Sequence, residues 1–148
     1  MTVQTTDTVT PLSGANPFVQ STVVSGVDAR AAGLSDYFVD LILQAFQSVW
    51  MGLHFTNPDL EGALTSEISG GGYIRQAATF TTPSNRVTWL ANSVLFTALP
   101  SVTLGYVSIW DQQYNGNILA AAPMLNAQVI PAGGSYALAD GSLAVFIN

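Results

Sequence analysis

The sequence has no lysine and no cysteine, and its only cations are Arg30, Arg75 and Arg86. Nucleic-acid binding needs several clustered basic side chains that displace phosphate counterions, so three scattered arginines argue strongly against it. The lack of cysteine excludes a disulfide framework and a thiolate metal site. No run of about 18 apolar residues is present, so we expect no membrane insertion. The start, MTVQTTDTVTPL, lacks the basic and apolar regions of a secretion signal.

Charge of either sign is scarce. Charged residues make up only 8% of the chain, while hydrophobic residues make up 49%. An average soluble domain has roughly 25% charged residues. The surface must therefore consist largely of Thr, Ser, Asn, Gln, Gly and small apolar groups, which suits a protein covered by neighbouring subunits. An ordinary domain with a neutral surface is the alternative.

Residues 1–33 differ in composition from the rest of the chain. They are rich in Thr, Val, Ser and Gly, contain Pro11 and Pro17, and have no clear hydrophobic period. Such a segment cannot bury enough surface to offset its ordering entropy, which predicts an extended N-terminal arm. Pieces such as residues 18–24 are suited to add to the sheet edge of another chain. A disordered tail or a plain linker is the alternative.

One helix is predicted, beginning after Ser35 and ending near Ser48. Ser35 is suited to cap its N-terminus, and Asp36 and Asp40 lie in the first turns, where the helix dipole favours anions. An apolar stripe at helical spacing predicts a face that packs into the core. The stripe consists of Leu34, Phe38, Leu41, Ile42, Ala45 and Phe46.

From Val49 onward, apolar residues alternate with period two in short runs separated by turn residues. The strongest turn signal is Asn115-Gly116, because both central residues of a type I′ hairpin turn need positive φ. About eight strands without intervening helices predict an all-β domain over residues 34–148, a jelly-roll-like β-sandwich. The other predicted turns are Pro83-Ser84-Asn85, Pro131-Ala132-Gly133-Gly134 and Asp140-Gly141.

Several segments match, in order, the pattern of one family. They read Leu34-Ser35-Asp36-Tyr37-Phe38, Gly52-Leu53-His54-Phe55-Thr56-Asn57-Pro58, Ser69-Gly70-Gly71-Gly72-Tyr73-Ile74-Arg75-Gln76-Ala77, Ser108-Ile109-Trp110-Asp111 and Gly116-Asn117-Ile118-Leu119. The Gly-Gly-Tyr-x-Arg-Gln run is the most specific. On these residues the chain resembles the small tail fibre-like and minor tail proteins of bacteriophages and prophages, over about residues 34–148. The first 33 residues have no counterpart in that pattern. The resemblance implies a jelly-roll virion structural protein.

The glycine-rich part of this pattern is the candidate structural motif. Three consecutive glycines permit a sharp, positive-φ entry into a strand. Arg75 on that strand can aim its planar fork at a carboxylate or at backbone carbonyls. We predict Asp111 as its partner, in an ion pair that fixes the sheet geometry; receptor binding by Arg75 is the alternative. The motif residues are Gly70, Gly71, Gly72, Tyr73, Arg75, Gln76 and Asp111.

No catalytic or metal-binding constellation is evident. His54 is the only histidine, and its strand position predicts a half-buried structural residue rather than the base of a nucleophilic triad. Residues 57–62 place oxygen ligands at alternate positions, like the start of a calcium loop. However, Pro58 interrupts the loop and Ile68 stands where a bidentate glutamate is needed. We therefore expect no metal and no cofactor.

Aromatic side chains offer a second kind of binding surface. Trp89, Trp110 and Tyr114 are candidates to stack on the sugar rings of a ligand. Trp110 and Tyr114 flank the Asn115-Gly116 turn, near a loop tip. A core position is nevertheless the favoured interpretation of Trp110.

These observations predict a virion structural protein of the tail, tail tip or fibre, not an enzyme. We expect it to assemble with other copies of itself, as a trimer before a hexamer or dimer. We also expect it to dock to other virion proteins through the N-terminal arm. A capsid decoration protein and a host-surface carbohydrate-binding module are the alternative functions, and the sequence does not separate tail from capsid.

Overall fold

The computed structural model describes residues 10–11, 20–24, 27–29, 33–58 and 66–148, the first three ranges by their backbone. The chain divides into two compact units, Met1–Ser35 and Asp36–Asn148. No helix in the described part is long and apolar enough to cross a membrane.

In the first unit, three short strands form an antiparallel sheet. They are β1 (Thr10–Pro11), β2 (Gln20–Val24) and β3 (Val27–Ala29), and β2 lies between the other two. Part of the predicted arm is therefore β-structured and pairs with itself. Residues 18 and 19 of the predicted docking piece lie outside the described residues, and docking of the arm onto another chain remains a prediction.

The second unit begins with helix α1, Asp36–Leu43, which continues as a single 3-10 turn at Gln44–Phe46. The helix starts directly after Ser35, as predicted, and the helical segment ends shortly before Ser48. Its last turn tightens because the Gln47 N–H donates to the Gln44 carbonyl oxygen at 3.1 Å.

The helix packs through a different face from the one predicted. Val39, Leu43 and Phe46 are buried in the core. The rest of the predicted stripe is exposed, so the prediction is wrong for all of its members but Phe46. α1 therefore carries apolar side chains on two faces. The exposed members of the stripe are Leu34, Phe38, Leu41, Ile42 and Ala45.

Arg86 lies against one flank of the helix. Its backbone N–H donates to the Asp40 carboxylate at 2.9 Å, and its Nη1 donates to the Asp36 carboxylate at 3.1 Å. Both acids lie on one flank of α1. These bonds are compatible with the orientation that buries Val39 and Leu43.

Eight strands are described in the second unit, and all of their pairings are antiparallel. Four of them form a sheet in the order β5-β4-β8-β9, while β7 pairs with β10 and β6 with β11. The predicted all-β sandwich with one short N-terminal helix is confirmed. The strands are β4 (Val49–His54), β5 (Gln76–Ala78), β6 (Val87–Trp89), β7 (Val94–Leu99), β8 (Val102–Trp110), β9 (Ile118–Ile130), β10 (Gly134–Leu138) and β11 (Ala144–Phe146).

β4 is buried on both faces, which sets up the candidate site. Met51 and Leu53 point into the apolar core, together with Phe96 and Leu104 from other strands. On the opposite face of β4, Gly52 and His54 are buried and Trp50 is partly buried. A polar side chain on such a face needs protein partners, because water does not reach it.

The predicted turns occur where positive φ is required. Asn115 and Gly116 have φ values of 56° and 74°, as the type I′ signal implies. They lie in the loop between β8 and β9, which is closed by a hydrogen bond of 3.2 Å from the Asp111 N–H to the Asn117 carbonyl oxygen. Gly133 in the Pro-Ala-Gly-Gly turn also has positive φ.

Candidate functional site

The glycine run before Arg75 lies against the end of β7. Gly70 and Gly71 have φ values of 92° and 59°, which non-glycine residues rarely adopt. A Cβ at Gly71 would collide with the Ala98 carbonyl oxygen. The Gly72 N–H donates to that same oxygen at 2.6 Å. The glycines thus let the chain pass close to β7 before it turns into β5.

Arg75 is the centre of the site and is only 5% exposed. Its Nε and Nη2 donate to the two carboxylate oxygens of Glu67 at 2.8 and 2.7 Å. Its Nη1 donates to the carbonyl oxygens of Gln112 and Asn115 at 3.1 and 2.6 Å. The guanidinium carbon lies 3.5 Å from the centre of the Trp110 ring. A planar forked cation satisfies these partners at once, which a lysine ammonium would not.

The carboxylate paired with Arg75 is that of Glu67, so the predicted pair with Asp111 is wrong. Asp111 is exposed, and its carboxylate accepts the backbone N–H and the side-chain amide of Asn117 at 2.7 and 2.8 Å. These bonds lower the pKa of Asp111. From its exposed position, Asp111 therefore stabilises the loop whose carbonyl oxygens bind Arg75. The alternation of apolar and polar residues does not identify Glu67 as the partner of Arg75. Its position just before the glycine run is the sequence feature that could have indicated it.

Tyr73 connects the ion pair to the core. Its hydroxyl donates to Glu67 Oε1 at 2.7 Å and accepts the Leu53 N–H at 3.0 Å, while its ring stacks on Phe96. Burial and the Glu67 carboxylate raise the pKa of Tyr73 far above its ordinary value. Burial also raises the pKa of Glu67, but the hydrogen bonds from Arg75 and Tyr73 outweigh it and the net shift is downward. Glu67 therefore stays ionised opposite Arg75.

His54 extends the network beneath Trp110. It is fully buried rather than half-buried as predicted, because Ser66 and Ser108 satisfy both ring nitrogens. The Nδ1 lies 2.9 Å from Ser66 Oγ and the Nε2 lies 2.7 Å from Ser108 Oγ. Ser108 Oγ also accepts the Trp110 indole N–H at 2.6 Å. Burial lowers the pKa of His54, so its ring is neutral at neutral pH.

Gly52 leaves the space in which these groups meet. A Cβ at this position would lie 2.8 Å from Ser108 Oγ, 3.0 Å from Trp110 Nε1 and 3.2 Å from Glu67 Oε1. Any side chain would therefore force these neighbouring polar atoms to move. In the Gly-Leu-His run of the motif, Gly52 thus leaves space, Leu53 packs in the core, and His54 provides a buried ring that forms hydrogen bonds.

The network is closed, and its chemistry is structural. Within the described residues, every buried side-chain nitrogen and oxygen has a hydrogen-bond partner. His54 and Ser108 have no exposed surface, so neither can meet a substrate as base or nucleophile. A fully satisfied buried network holds the segments that it joins in one arrangement. Gln76, the last motif residue, makes a local bond to the Ile74 carbonyl oxygen at 3.1 Å.

Of the three aromatic candidates, two are exposed and one is buried. Trp110 lies under Arg75 and cannot stack on a ligand. Trp89 is exposed on β6, and Tyr114 is exposed in the loop after β8. Tyr114 borders an open cleft of about 290 Å³ that Glu67 and Arg75 also line. Those two side chains already bind each other, which leaves Ser69, Gln113, Tyr114 and Asn115 as the other polar side chains of the cleft.

No group of three or more His, Asp or Glu side chains in the described part of the chain is arranged to hold a metal ion. Residues 59–62 of the calcium-like loop lie outside the described residues. The absence of a metal requirement therefore remains a prediction.

Comparison with known families identifies the kind of protein that carries this network. Residues 22–146 match the family model described as Podophage GP4 fiber I protein gp80. The chain belongs to this family. It is accordingly a phage fibre protein with a structural role in the virion, in agreement with the resemblance seen in its motifs. The match begins at residue 22 and so includes part of the N-terminal segment, for which the motifs have no counterpart. Comparison with curated proteins finds no match.

Proposed function

We propose that this fibre protein is a non-enzymatic building block that assembles with copies of itself as a trimer. We propose further that it docks to neighbouring virion proteins through its N-terminal arm. Family membership supports the virion role. The observation that carries the proposal is the amount of apolar side chain on the surface of a single chain.

Large apolar residues are exposed on several elements of the second unit. Tyr37 and Leu41 project from α1, Leu125 and Val129 from β9, and Phe146 from β11. Single exposed apolar residues are normal, but contiguous ones mark interaction surfaces. A helix that is apolar on two faces, as α1 is, is normally covered on both. These surfaces are suited to contacts with other subunits.

Charge does little to keep copies apart. The formal net charge is −6 over 148 residues, with three cations in all. Arg75 and Arg86 are engaged within their own chain, by Glu67 and Asp36. A surface with so few like charges opposes self-association weakly.

A host-surface carbohydrate-binding role has less support. Trp110 is buried, and the charged pair of the cleft beside Tyr114, Glu67 and Arg75, is bound within the chain. A capsid location is disfavoured by membership of a fibre family.

Sedimentation equilibrium of the full chain at micromolar concentrations tests the proposal. We expect a mass about three times that of the 15.5 kDa chain. Because the contacts are apolar, raising the salt concentration should not dissociate the oligomer. A monomer at every concentration would contradict self-assembly, and a dimer or hexamer would contradict the trimer.

A further inference from the structure

The sandwich is incompletely covered along β9. This strand is the edge of the four-stranded sheet, and no strand in the described part of the chain pairs with its outer side. The apolar residues packed along this edge are only partly buried, whereas Met51 and Leu53 of β4 and Leu104, Val107 and Ile109 of β8 are buried almost completely. The partly buried residues are Ala120, Ala122, Met124, Leu138, Leu143 and Val145.

A groove, which we call the β9 groove, follows this edge between β9 and the strands β10 and β11. Its first part is lined by apolar residues, and its second part also by Asn126, Gln128 and Ser142. It consists of two adjoining depressions of about 260 Å³ each, which share Val107 and Leu143. Ala120 and Ala122, which pair with the core residues Ile109 and Val107, form one wall of the first depression, and their short side chains leave its space open. An apolar cavity of about 150 Å³ can hold a benzene-sized molecule. Each depression therefore has room for a large apolar side chain.

A projecting leucine lies beside this groove. Leu104 pairs with Gln128 and Tyr106 pairs with Pro123, so residues 124–127 of β9 stand opposite Gly105 alone. This bulge pushes its residues out of the ladder. Leu125 within it is 97% exposed, and it contributes almost nothing to the packing of its own chain.

The edge favours insertion of side chains over addition of a strand. Pro123 offers no N–H, and the bulge interrupts the line of backbone groups that an added strand would need. No residue of β9 is charged. On β9 and β11, four large apolar side chains are exposed: Leu119 (38%), Leu125 (97%), Val129 (79%) and Phe146 (62%). They can supply part of the ~800 Å² that each partner of a stable dimer buries.

We propose that copies of this chain associate along β9, with Leu125 of one copy inserted into the β9 groove of the next. This inference rests on the proposed self-assembly and names its contact surface. The occupant is a second copy because the projection and the groove belong to the same chain, and β9 carries no charged residue that would oppose their contact. Insertion of one copy into the next is a head-to-tail contact, and such contacts can close into a ring such as the proposed trimer.

Leu125→Asp tests the contact without disturbing the fold. We expect the dissociation constant of the oligomer to rise at least tenfold in sedimentation experiments, with an unchanged melting temperature. Leu95→Asp is the matched control, because Leu95 is also an exposed leucine on a strand. It pairs with Ala137, and so faces away from Leu138 in the groove. This control should leave association unchanged.

Cysteine cross-linking gives a second measurement, since the natural chain has no cysteine. Mixing Leu125→Cys with Ala122→Cys should give mixed disulfide dimers under mild oxidation, and mixing Leu95→Cys with Ala122→Cys should not. An oligomer that Leu125→Asp leaves intact would overturn the contact but not the proposed assembly. Equal weakening by both aspartate variants would also overturn it. A wild-type chain that stays monomeric would overturn both proposals.

Discussion

Replacing Glu67 with glutamine tests the buried ion pair with little change of shape. Glu67 accepts hydrogen bonds from Arg75 Nε, Arg75 Nη2 and the Tyr73 hydroxyl. The side chains of Arg75 and Glu67 are 5% and 12% exposed, so water cannot readily replace a lost partner. In Glu67→Gln, an NH₂ group faces a donor in place of one carboxylate oxygen. The charge of Arg75 then stays buried without its counter-charge.

The expected loss follows from this burial. Removing one partner of a buried ion pair costs about 3–5 kcal/mol. Glutamine keeps one acceptor oxygen, and Arg75 keeps its bonds to the carbonyls of Gln112 and Asn115. We therefore expect the free energy of unfolding to fall by about 3 kcal/mol, the lower end of that range. For a unit of this size, the melting temperature should fall by on the order of 10 °C.

Urea unfolding followed by tryptophan fluorescence measures this loss, because Trp110 lies against Arg75. Asp111→Asn is the control. It also removes one negative charge from the segments around Arg75, but at an exposed position, so its effect should be much smaller. A loss of less than about 1 kcal/mol for Glu67→Gln, the range of exposed ion pairs, would refute the reasoning. Equal losses in the two variants would refute it too.

Three further predictions concern pH, backbone and arm. Burial holds the pKa of His54 below its ordinary 6.5 in the folded state. The stability that the neutral ring contributes is therefore complete above pH 6.5, and the free energy of unfolding declines as the pH falls through 6.5 toward the folded pKa. His54→Gln should remove this slope in urea titrations run across the range, and an unchanged slope would contradict us. Gly71→Ala should cost about 1–3 kcal/mol in the same assay, because it combines positive φ with a collision. Gly133→Ala, with positive φ and open space, should cost less, and equal losses would show that the collision is irrelevant. Deleting residues 1–30 should leave the melting temperature of the second unit unchanged but weaken the oligomer, whereas an unfolded product would place the arm in the core.

Local features of this protein could be predicted because they are encoded within a few neighbouring residues. Asn115-Gly116 has positive φ at both positions, a conformation that Asn and Gly tolerate best. The helix begins directly after Ser35, where a capping side chain meets the first acidic turn. Period-two alternation from Val49 onward predicts the strands and hence the fold class. Each of these signals acts through the backbone of its own segment.

Contacts between distant segments were decided only by the tertiary structure. α1 is apolar on two faces, so its periodicity cannot say which face turns inward. In the structure Val39 and Leu43 are buried, and Arg86, distant in the sequence, binds Asp40 on the flank of the helix. Arg75 likewise has two carboxylates near the family motifs, at Glu67 and Asp111. The packing of β4 against β8 brings Glu67 beneath Arg75 and leaves Asp111 outside, past the end of β8. Ion pairs and helix orientation depend on distances between elements, and a linear pattern of residues does not contain those distances.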